Sequence, residues 1–203
     1  MRVLAFSDLH VDLAQAERLV DSSAAADVVL GVGDFASVHS GLRETIEALR
    51  GITKPVILVP GNNETEDDLR EACRGWDIAT VLHGEGTEID GVAFFGLGAG
   101  VPVTPWDWSF DLTEEEAAEK LTGCPEGCVL AVHSPPRGHV DVSSRGEHLG
   151  STAIRDAIAA REPRLALCGH IHESWGRRSA IGPTEVVNLG PSGTMLEVGR
   201  HRQ

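Results

Sequence analysis

The sequence lacks a long hydrophobic run and has few basic residues for its length. No apolar stretch reaches the ~18 residues of a transmembrane helix, so we expect no membrane partner. Asp and Glu number 31 against 17 Lys and Arg, which gives a formal net charge of −14 over 203 residues. Because proteins bind nucleic-acid backbones through Lys and Arg, this charge argues against a nucleic-acid polymer as the main partner. It does not exclude a small phosphate ester, since bound divalent cations can dominate the local field.

Cysteine is also scarce, and the first segment, MRVLAFSDLH, lacks the pattern of a cleavable signal peptide. We therefore expect a cytoplasmic location and four reduced thiols instead of disulfides. Cys124 and Cys128, in the stretch CPEGC, are too few for a zinc site without further ligands, and a surface turn is the favoured interpretation. Cys168 ends an apolar run and is expected in the core.

Length and periodicity predict a single α/β domain over residues 1–203. Strand patterns lie near 2–6, 27–32, 55–59, 78–82, 92–97, 127–132, 164–168, 184–189 and 194–198. Helical patterns lie near 12–23, 40–50, 64–74, 113–122 and 151–161. The alternating first half favours parallel strands, whereas the short turns of the last quarter favour antiparallel ones.

Three helix starts have the spacing of a capping box, in which a side chain three residues after the cap returns to it. These pairs are Asp12 with Gln15, Thr113 with Glu116, and Asn63 with Glu66. The last pair explains one asparagine of the stretch PGNNETEDD but leaves Asn62 without a role.

Polar side chains follow five of the predicted strands directly. The segments are Ser7-Asp8-Leu9-His10, Gly33-Asp34, Gly61-Asn62-Asn63-Glu64, His133-Ser134-Pro135-Pro136 and Gly169-His170-Ile171-His172. Taken singly, each is explained as a helix cap or a structural histidine. Because ligands of α/β sheets bind outside the carboxyl ends of the strands, together they predict one shared site.

Seven of these side chains suit metal binding: Asp8, His10, Asp34, Asn62, His133, His170 and His172. The spacing in Asp8-x-His10 and in His170-x-His172 suits an extended strand end, where residues i and i+2 point the same way. Imidazole and carboxylate without thiolate favour manganese, iron, zinc or nickel, and we favour manganese. Seven ligands are too many for one tetrahedral ion and suit two divalent ions about 3.5–4 Å apart.

These motifs, in this order from Ser7 to His172, resemble those of the calcineurin-like metallophosphoesterase family. The loop HSPP from His133 and the stretch CGHIHE resemble its small stand-alone phosphodiesterase branch. The resemblance implies an αββα fold, a two-layer β sandwich of mixed sheets flanked by helices, with a dinuclear centre at one end. It implies that one ion is held by Asp8, His10, Asp34 and His172, and that Asp34 bridges to a second ion held by Asn62, His133 and His170.

Asn63 departs from the family pattern, which commonly has histidine at that position. Asparagine can donate a hydrogen bond to a phosphate oxygen, but it cannot deliver a proton near neutral pH. We therefore expect a substrate with a good leaving group or another proton donor. His139 is the first candidate because it follows His133 by six residues. His39 and His83 are further candidates, for which a surface histidine is the preferred interpretation.

Two segments are candidates for contacting the substrate. Trp106 and Trp108 lie in the stretch WDWSF, which is expected to be a loop, and they suit stacking on a base or aryl group, filling a small loop core, or a contact in a homo-oligomer. Arg137 and Arg145 stand out in an acidic protein, and Arg137 is the preferred substrate contact. A solvated surface loop is the alternative interpretation, and it is favoured slightly more for Arg145 than for Arg137.

The sequence thus predicts a dinuclear metal-dependent phosphoesterase whose metal-bridging hydroxide attacks phosphorus, with phosphodiesters preferred. The preference rests on Asn63 and on the branch resemblance. A phosphomonoesterase or protein phosphatase is the alternative activity. A catalytically silent metal-binding scaffold is the alternative from a different class, although all seven ligand positions are filled.

Overall fold

The computed structural model describes residues 1–199, in which two mixed β-sheets face each other and α-helices cover their outer surfaces. The first sheet has the order β11 (Thr194–Glu197), β1 (Arg2–Phe6), β2 (Val28–Val32), β3 (Val56–Val59) and β4 (Ala79–Val81). Strands β1 to β4 pair in parallel, and β11 is antiparallel to β1. The parallel pairing predicted from the alternating first half is confirmed.

The second sheet has the order β5 (Glu85–Ile89), β6 (Val92–Leu97), β7 (Val129–Val132), β8 (Leu165–Cys168), β10 (Thr184–Asn188) and β9 (Arg178–Ile181). Strands β6, β7, β8 and β10 pair in parallel, and β5 and β9 form antiparallel edges. The expectation of an antiparallel last quarter was therefore only partly right, because β10 pairs in parallel with β8.

Helices α1 (Leu13–Ser23), α2 (Leu42–Leu49) and α3 (Glu66–Ala72) pack on the first sheet, and α4 (Glu114–Leu121) and α5 (Thr152–Arg161) pack on the second. The space between the sheets is filled by apolar side chains such as Leu30, Ile57, Phe94, Val129 and Leu167. Burying each such side chain contributes about 1.5–3 kcal/mol. The predicted α/β sandwich of mixed sheets is confirmed.

The two edge strands β5 and β9 were not predicted, because half-exposed sequences such as EGTEI lack the apolar run that marks a buried strand. Two predicted caps are present, at Asp12 and Thr113. The third was wrong, since α3 begins after Thr65, whose side chain forms the capping box with Asp68. Within residues 1–199, no helix is both long and apolar enough to cross a bilayer.

Candidate metal centre

Five strand ends meet at one edge of the sandwich, those of β1, β2, β3, β7 and β8. The segments after them bring together all seven side chains that the sequence suggested as ligands: Asp8, His10, Asp34, Asn62, His133, His170 and His172. Four of these have left-handed backbone conformations: Asp8 (φ 56°), His10 (φ 44°), Asp34 (φ 58°) and His170 (φ 67°). Such conformations cost about 1–3 kcal/mol each, so the surrounding fold must hold them.

Two positions beside the ligands require glycine because a carboxylate of the site lies close to the backbone there. A Cβ on Gly61 would lie 2.1 Å from Asp34 Oδ1, and one on Gly169 would lie 2.6 Å from Asp8 Oδ2. Any other side chain at these positions would displace a carboxylate of the site. The Gly-Asn and Gly-His motifs therefore have a steric origin.

Asp8, His10 and His172 form a first group whose ligand atoms lie within 4.8 Å of one another. His10 Nε2 is 3.1 Å from His172 Nε2, and His172 Nε2 is 4.0 Å from Asp8 Oδ1. Asp8 is buried, whereas the side chains of His10 and His172 are 28% and 45% exposed. We call this group the open half of the site.

Asp34, His133 and His170 form a second group, again with ligand atoms within 4.8 Å. Asn62 Oδ1 joins it, 3.3 Å from His133 Nε2 and 3.1 Å from His170 Nδ1. His133 is completely buried. We call this group, with Asn62, the buried half of the site.

The Asp34 carboxylate lies between the two halves. Its Oδ2 is 3.6 Å from His10 Nε2 in the open half, and its Oδ1 is 3.4 Å from His133 Nε2 in the buried half. One carboxylate can therefore serve both groups, which is the geometry that a bridging ligand needs.

The donor atoms fit divalent transition-metal ions. Nδ1 of His10 and Nδ1 of His133 lie 3.2 and 3.0 Å from the carbonyl oxygens of Ala36 and Val32. An imidazole that donates from Nδ1 presents the lone pair of Nε2, the arrangement typical of metal-binding histidines. Both Nε2 atoms point to the Asp34 carboxylate, and no thiolate takes part in either group within the described residues. The residues present therefore fit two divalent transition-metal ions.

Electrostatics reinforces this arrangement. Burial alone would raise the pKa of Asp34, but the histidines around it, His133 foremost, hold that pKa below its usual value. Burial and the neighbouring imidazoles lower the pKa of His170 to about 3, so this ring is neutral and free to bind a cation. The buried Asp34 anion beside the neutral His170 ring is therefore a cation-binding environment.

Glu64 is a supporting residue whose role the sequence pattern did not indicate. Its completely buried carboxylate accepts hydrogen bonds from the backbone N–H groups of Asp34 (2.9 Å), Ala36 (2.9 Å) and Gly61 (2.6 Å). Burial and the nearby Asp34 raise the pKa of Glu64 to about 7. It ties the loop after β2 to the loop after β3, and the GNNE motif marks its position although not this role.

Asp8 is also held in place by its neighbours. Ser7 Oγ donates to Asp8 Oδ2 at 2.6 Å, and Trp175 Nε1 donates to the same oxygen at 2.9 Å. The Trp175 ring also packs on His172, with ring centroids 4.4 Å apart. Trp175 thus supports two members of the open half.

Asn63 faces the site and does not cap α3. Its Nδ2 donates to Asp34 Oδ2 at 2.8 Å, and its Oδ1 accepts from the backbone N–H of Val38 at 2.8 Å. Both ends of the amide are therefore used to hold Asp34 and the loop after β2. The expectation of a helix cap was wrong because Thr65, two residues later, supplies the cap.

A cavity of about 890 Å³ adjoins the site and includes His10, Asp34, Asn62, His170 and His172 in its lining. Trp106 and Trp108 line it too and stack on each other, with centroids 5.5 Å apart and planes 15° apart. Other lining residues come from the same loop, Val101, Pro102, Val103, Thr104 and Pro105, and from residues 143–149.

The two arginines lie in different places. Arg145 lines the cavity, whereas Arg137, the preferred substrate contact from the sequence, is exposed and is not among the lining residues. His139 is not among them either, and its Nδ1 lies 2.9 Å from Ser179 Oγ. Both remain predictions without support from position.

His39 is exposed, as expected of a surface histidine, and its Nε2 lies 2.5 Å from the Trp108 carbonyl oxygen. His83 differs from the expectation, because it is only 7% exposed and its Nδ1 accepts a hydrogen bond from Gly98 N at 3.1 Å. Burial lowers the pKa of His83 to about 4. The loop after β4 folds inward there, which periodicity did not indicate.

The CPEGC stretch also differs from the expected surface turn. Cys124 and Cys128 are both buried, with Sγ atoms 3.5 Å apart, and they pack in the core under α4 and α5. Only the turn between them reaches solvent, because the chain reverses over three residues and returns both thiols inward. Cys168 lies in the core, as predicted.

Comparison with known proteins identifies the class. A family model described as the calcineurin-like phosphoesterase superfamily domain matches residues 1–200, and the chain belongs to this family. The human metallophosphoesterase domain-containing protein 1 is 38% identical over 95 residues, which are 44% of this chain and 29% of that protein. The chain therefore matches less than a third of the length of this relative.

A cAMP/cGMP dual specificity phosphodiesterase of Mycobacterium tuberculosis is 25% identical over 189 residues, 85% of this chain and 57% of that protein. Among solved structures, the protein TT1561 of Thermus thermophilus has a TM-score of 0.75 at 18% identity, covering 94% of this chain and 90% of that one. A dimetal phosphatase from Danio rerio has a TM-score of 0.61 at 12% identity, covering 94% and 88%. These structures share the fold.

Proposed function

We propose that this metallophosphoesterase hydrolyses phosphodiesters whose leaving group departs as a stable anion. The main support for this proposal is the state of Asn63. Its amide hydrogen-bonds to Asp34 and to Val38, and it cannot act as a proton donor near neutral pH. Lacking a general acid costs about 10²–10⁴-fold and matters least when the leaving group needs no protonation. A good leaving group is therefore the chemistry that this site suits.

The cavity supports a diester over a monoester. A diester carries two organic groups, and about 890 Å³ beside the metal centre leaves room for a group beyond the phosphoryl unit. The apolar and aromatic lining around Trp106 and Trp108 suits an aryl or base ring. The phosphodiesterase relative from M. tuberculosis points in the same direction.

The chain's own residues prepare the site for two divalent ions, for which we propose manganese. Bound ions would activate water for attack on phosphorus and neutralise charge on the phosphoryl oxygens. Asn62 Nδ2 donates to Ser109 Oγ at 2.9 Å, which turns its Oδ1 toward His133 and His170. Asp34 is held between the halves by the side chain of Asn63 and by the backbone N–H groups of residues 62 and 63.

Two other functions compete with this one. A phosphomonoesterase or protein phosphatase needs a proton donor for a poor leaving group, and His139, the candidate from the sequence, does not line the cavity. A silent scaffold requires loss of ligands, whereas all seven positions carry a donor side chain. A diesterase agrees better with both observations.

Hydrolysis of bis(p-nitrophenyl) phosphate with added Mn²⁺ tests the proposal, with p-nitrophenyl phosphate as the monoester and Asp34→Asn as the inactive control. We expect faster turnover of the diester and loss of turnover in Asp34→Asn. A faster monoester reaction would support the phosphatase alternative. Bound metal without any turnover would support the scaffold.

A further inference from the structure

The cavity beside the metal centre has two unlike walls. One is the apolar and aromatic segment 101–108, and the other is the polar loop 141–149, which contributes Ser143, Ser144, Arg145, Glu147 and Leu149. Arg145 is the single Lys or Arg side chain among the residues that line the cavity in the described part of the chain. A ligand that fills the cavity therefore meets one fixed cation besides the metal centre.

The Arg145 guanidinium is not neutralised by the protein. Among the ion pairs within residues 1–199, none involves Arg145, although Asp and Glu outnumber Lys and Arg by 31 to 17. Arg178, for comparison, pairs with Glu185 at 2.7 Å. An unpaired guanidinium on a cavity wall presents its planar set of donors to carboxylate or phosphate oxygens.

The 141–149 loop is anchored at its base. The buried Asp141 carboxylate accepts from the backbone N–H groups of Gly138 and Gly150, each at 2.9 Å, and from His148 Nδ1 at 2.6 Å. Because Gly138 precedes the loop and Gly150 follows it, their bonds to one carboxylate hold the two ends of the loop together. A loop fixed before binding loses less entropy when a ligand arrives.

The same loop is tied to the segment that carries two metal-ligand candidates. Ser174 Oγ accepts from Val142 N at 3.0 Å and lies 3.0 Å from Val142 O, next to the turn that starts at His172. The two N–H groups of the buried Asn188 Nδ2 are shared among three carbonyl oxygens, those of Val140 (3.0 Å), Gly169 (3.2 Å) and Ile171 (3.3 Å). The loop and the metal site are thereby held in a fixed relation.

We infer that Arg145 binds a second anionic group of the substrate, apart from the phosphoryl group at the metal centre. The preferred substrate is then a phosphodiester that bears an additional carboxylate or phosphate on one of its organic groups. This inference rests on the proposed function for the reaction, but it concerns recognition. Glu147, in the same loop, and Glu173 also line the cavity, so their carboxylates oppose an anion there.

A matched pair of substrates separates this role from a general one. The pair is p-nitrophenyl phenyl phosphate with and without a carboxylate on the phenyl ring, used with the Mn²⁺-loaded full chain. We expect Arg145→Ala to raise KM about tenfold for the carboxylated diester, which corresponds to the loss of one charged hydrogen bond. For the diester without the carboxylate, KM should rise less than about twofold. Arg145→Lys should recover part of the loss.

Two further variants are controls for charge. Glu147→Gln should lower KM for the carboxylated diester, opposite in sign to Arg145→Ala, because it removes one of the two opposing carboxylates, Glu147 and Glu173. Arg43→Ala removes the same charge from an exposed site on α2 that does not line the cavity, and it should leave the ratio of the two KM values unchanged.

Equal loss with both diesters would overturn the inference, because Arg145 would then act on the phosphoryl group or on the fold. Unchanged KM values for both diesters would overturn it as well. If the wild type hydrolyses neither diester, the proposed function fails. Binding is then measured by tryptophan-fluorescence titration with phenyl methylphosphonate, with and without a carboxylate on the ring. A preference for the carboxylated compound that is lost in Arg145→Ala supports the inference about Arg145. Equal binding of the two compounds overturns it.

Discussion

The two halves of the metal centre differ in exposure although they use similar ligands. In the buried half, Asp34 and His133 are enclosed by the ends of both sheets. In the open half, the His10 and His172 side chains are 28% and 45% exposed and face the cavity. The difference indicates that the buried half is part of the folded core, whereas two of the three ligand candidates of the open half, His10 and His172, lie at its surface.

This comparison predicts different costs for mutation. Removing a group from the buried half leaves unpaired backbone atoms or a void, so folding and metal binding both suffer. Removing an exposed ligand from the open half affects metal binding alone, since water replaces its contacts. The free energy of unfolding of the metal-free protein should therefore differ between variants of the two halves, whereas loss of activity is expected for both.

Glu64→Ala should produce the largest loss of stability. It leaves three buried N–H groups, those of Asp34, Ala36 and Gly61, without acceptors, and each costs about 1–3 kcal/mol. We expect the free energy of unfolding to fall by about 3 kcal/mol or more in urea titrations of metal-free protein. Glu119→Ala, at an exposed position of α4, is the control and should change it by less than about 0.5 kcal/mol. Equal stabilities would show that Glu64 does not support the buried half.

His133→Ala and His172→Ala compare the halves directly. Both should reduce turnover of a phosphodiester at least about 100-fold, because each removes a metal-ligand candidate. Only His133→Ala should also destabilise the metal-free protein, by about 2 kcal/mol, since it creates a void and leaves the Val32 carbonyl without its partner. Similar stabilities for the two variants would remove the distinction between the halves.

His83 shows how burial affects the pKa of a histidine outside the metal centre. Burial lowers its pKa to about 4, below the value of about 6.5 in an unfolded chain. As the pH falls from about 6.5 toward 4, the unfolded chain gains a proton that the folded chain does not, so the free energy of unfolding decreases. His83→Gln keeps an acceptor for the Gly98 N–H and removes this titration. It should flatten the pH dependence by about 2 kcal/mol, and parallel profiles for the two proteins would contradict the assignment.

Trp175→Phe should have the smallest effect and affect the open half. Phenylalanine keeps a ring against His172 but removes the N–H that donates to Asp8 Oδ2. We expect Mn²⁺ affinity at one site to fall about tenfold, with little change in unfolding. Unchanged affinities at both sites would show that Ser7 alone orients Asp8.

The sequence predicted the α/β class and the convergence of the seven side chains because both follow from local order, whereas the two-layer sandwich was implied by the family resemblance. Apolar runs mark buried strands, and parallel strands place their carboxyl ends at one edge. Edge strands such as β5 were missed because half-exposed strands lack that signal. Supporting residues were harder to predict, since the three hydrogen bonds of Glu64 join loops whose separation in space the sequence does not state.

The choice between chemically similar residues also needed three-dimensional information. Arg137 and Arg145 are eight residues apart and the sequence favours Arg137 as the substrate contact, but of the two only Arg145 lines the cavity. Asn63 has the spacing of a helix cap, but the alternative cap at Thr65 leaves its amide free to hold Asp34. In both cases local pattern allows two roles and the fold selects one.

Turnover of bis(p-nitrophenyl) phosphate, followed while Mn²⁺ is titrated into metal-free protein, tests most directly whether the two halves act together. We expect the chain to bind two equivalents and turnover to rise with the second, because Asp34 joins both groups. Full turnover after one equivalent, or two bound equivalents without turnover, would contradict a two-ion phosphodiesterase.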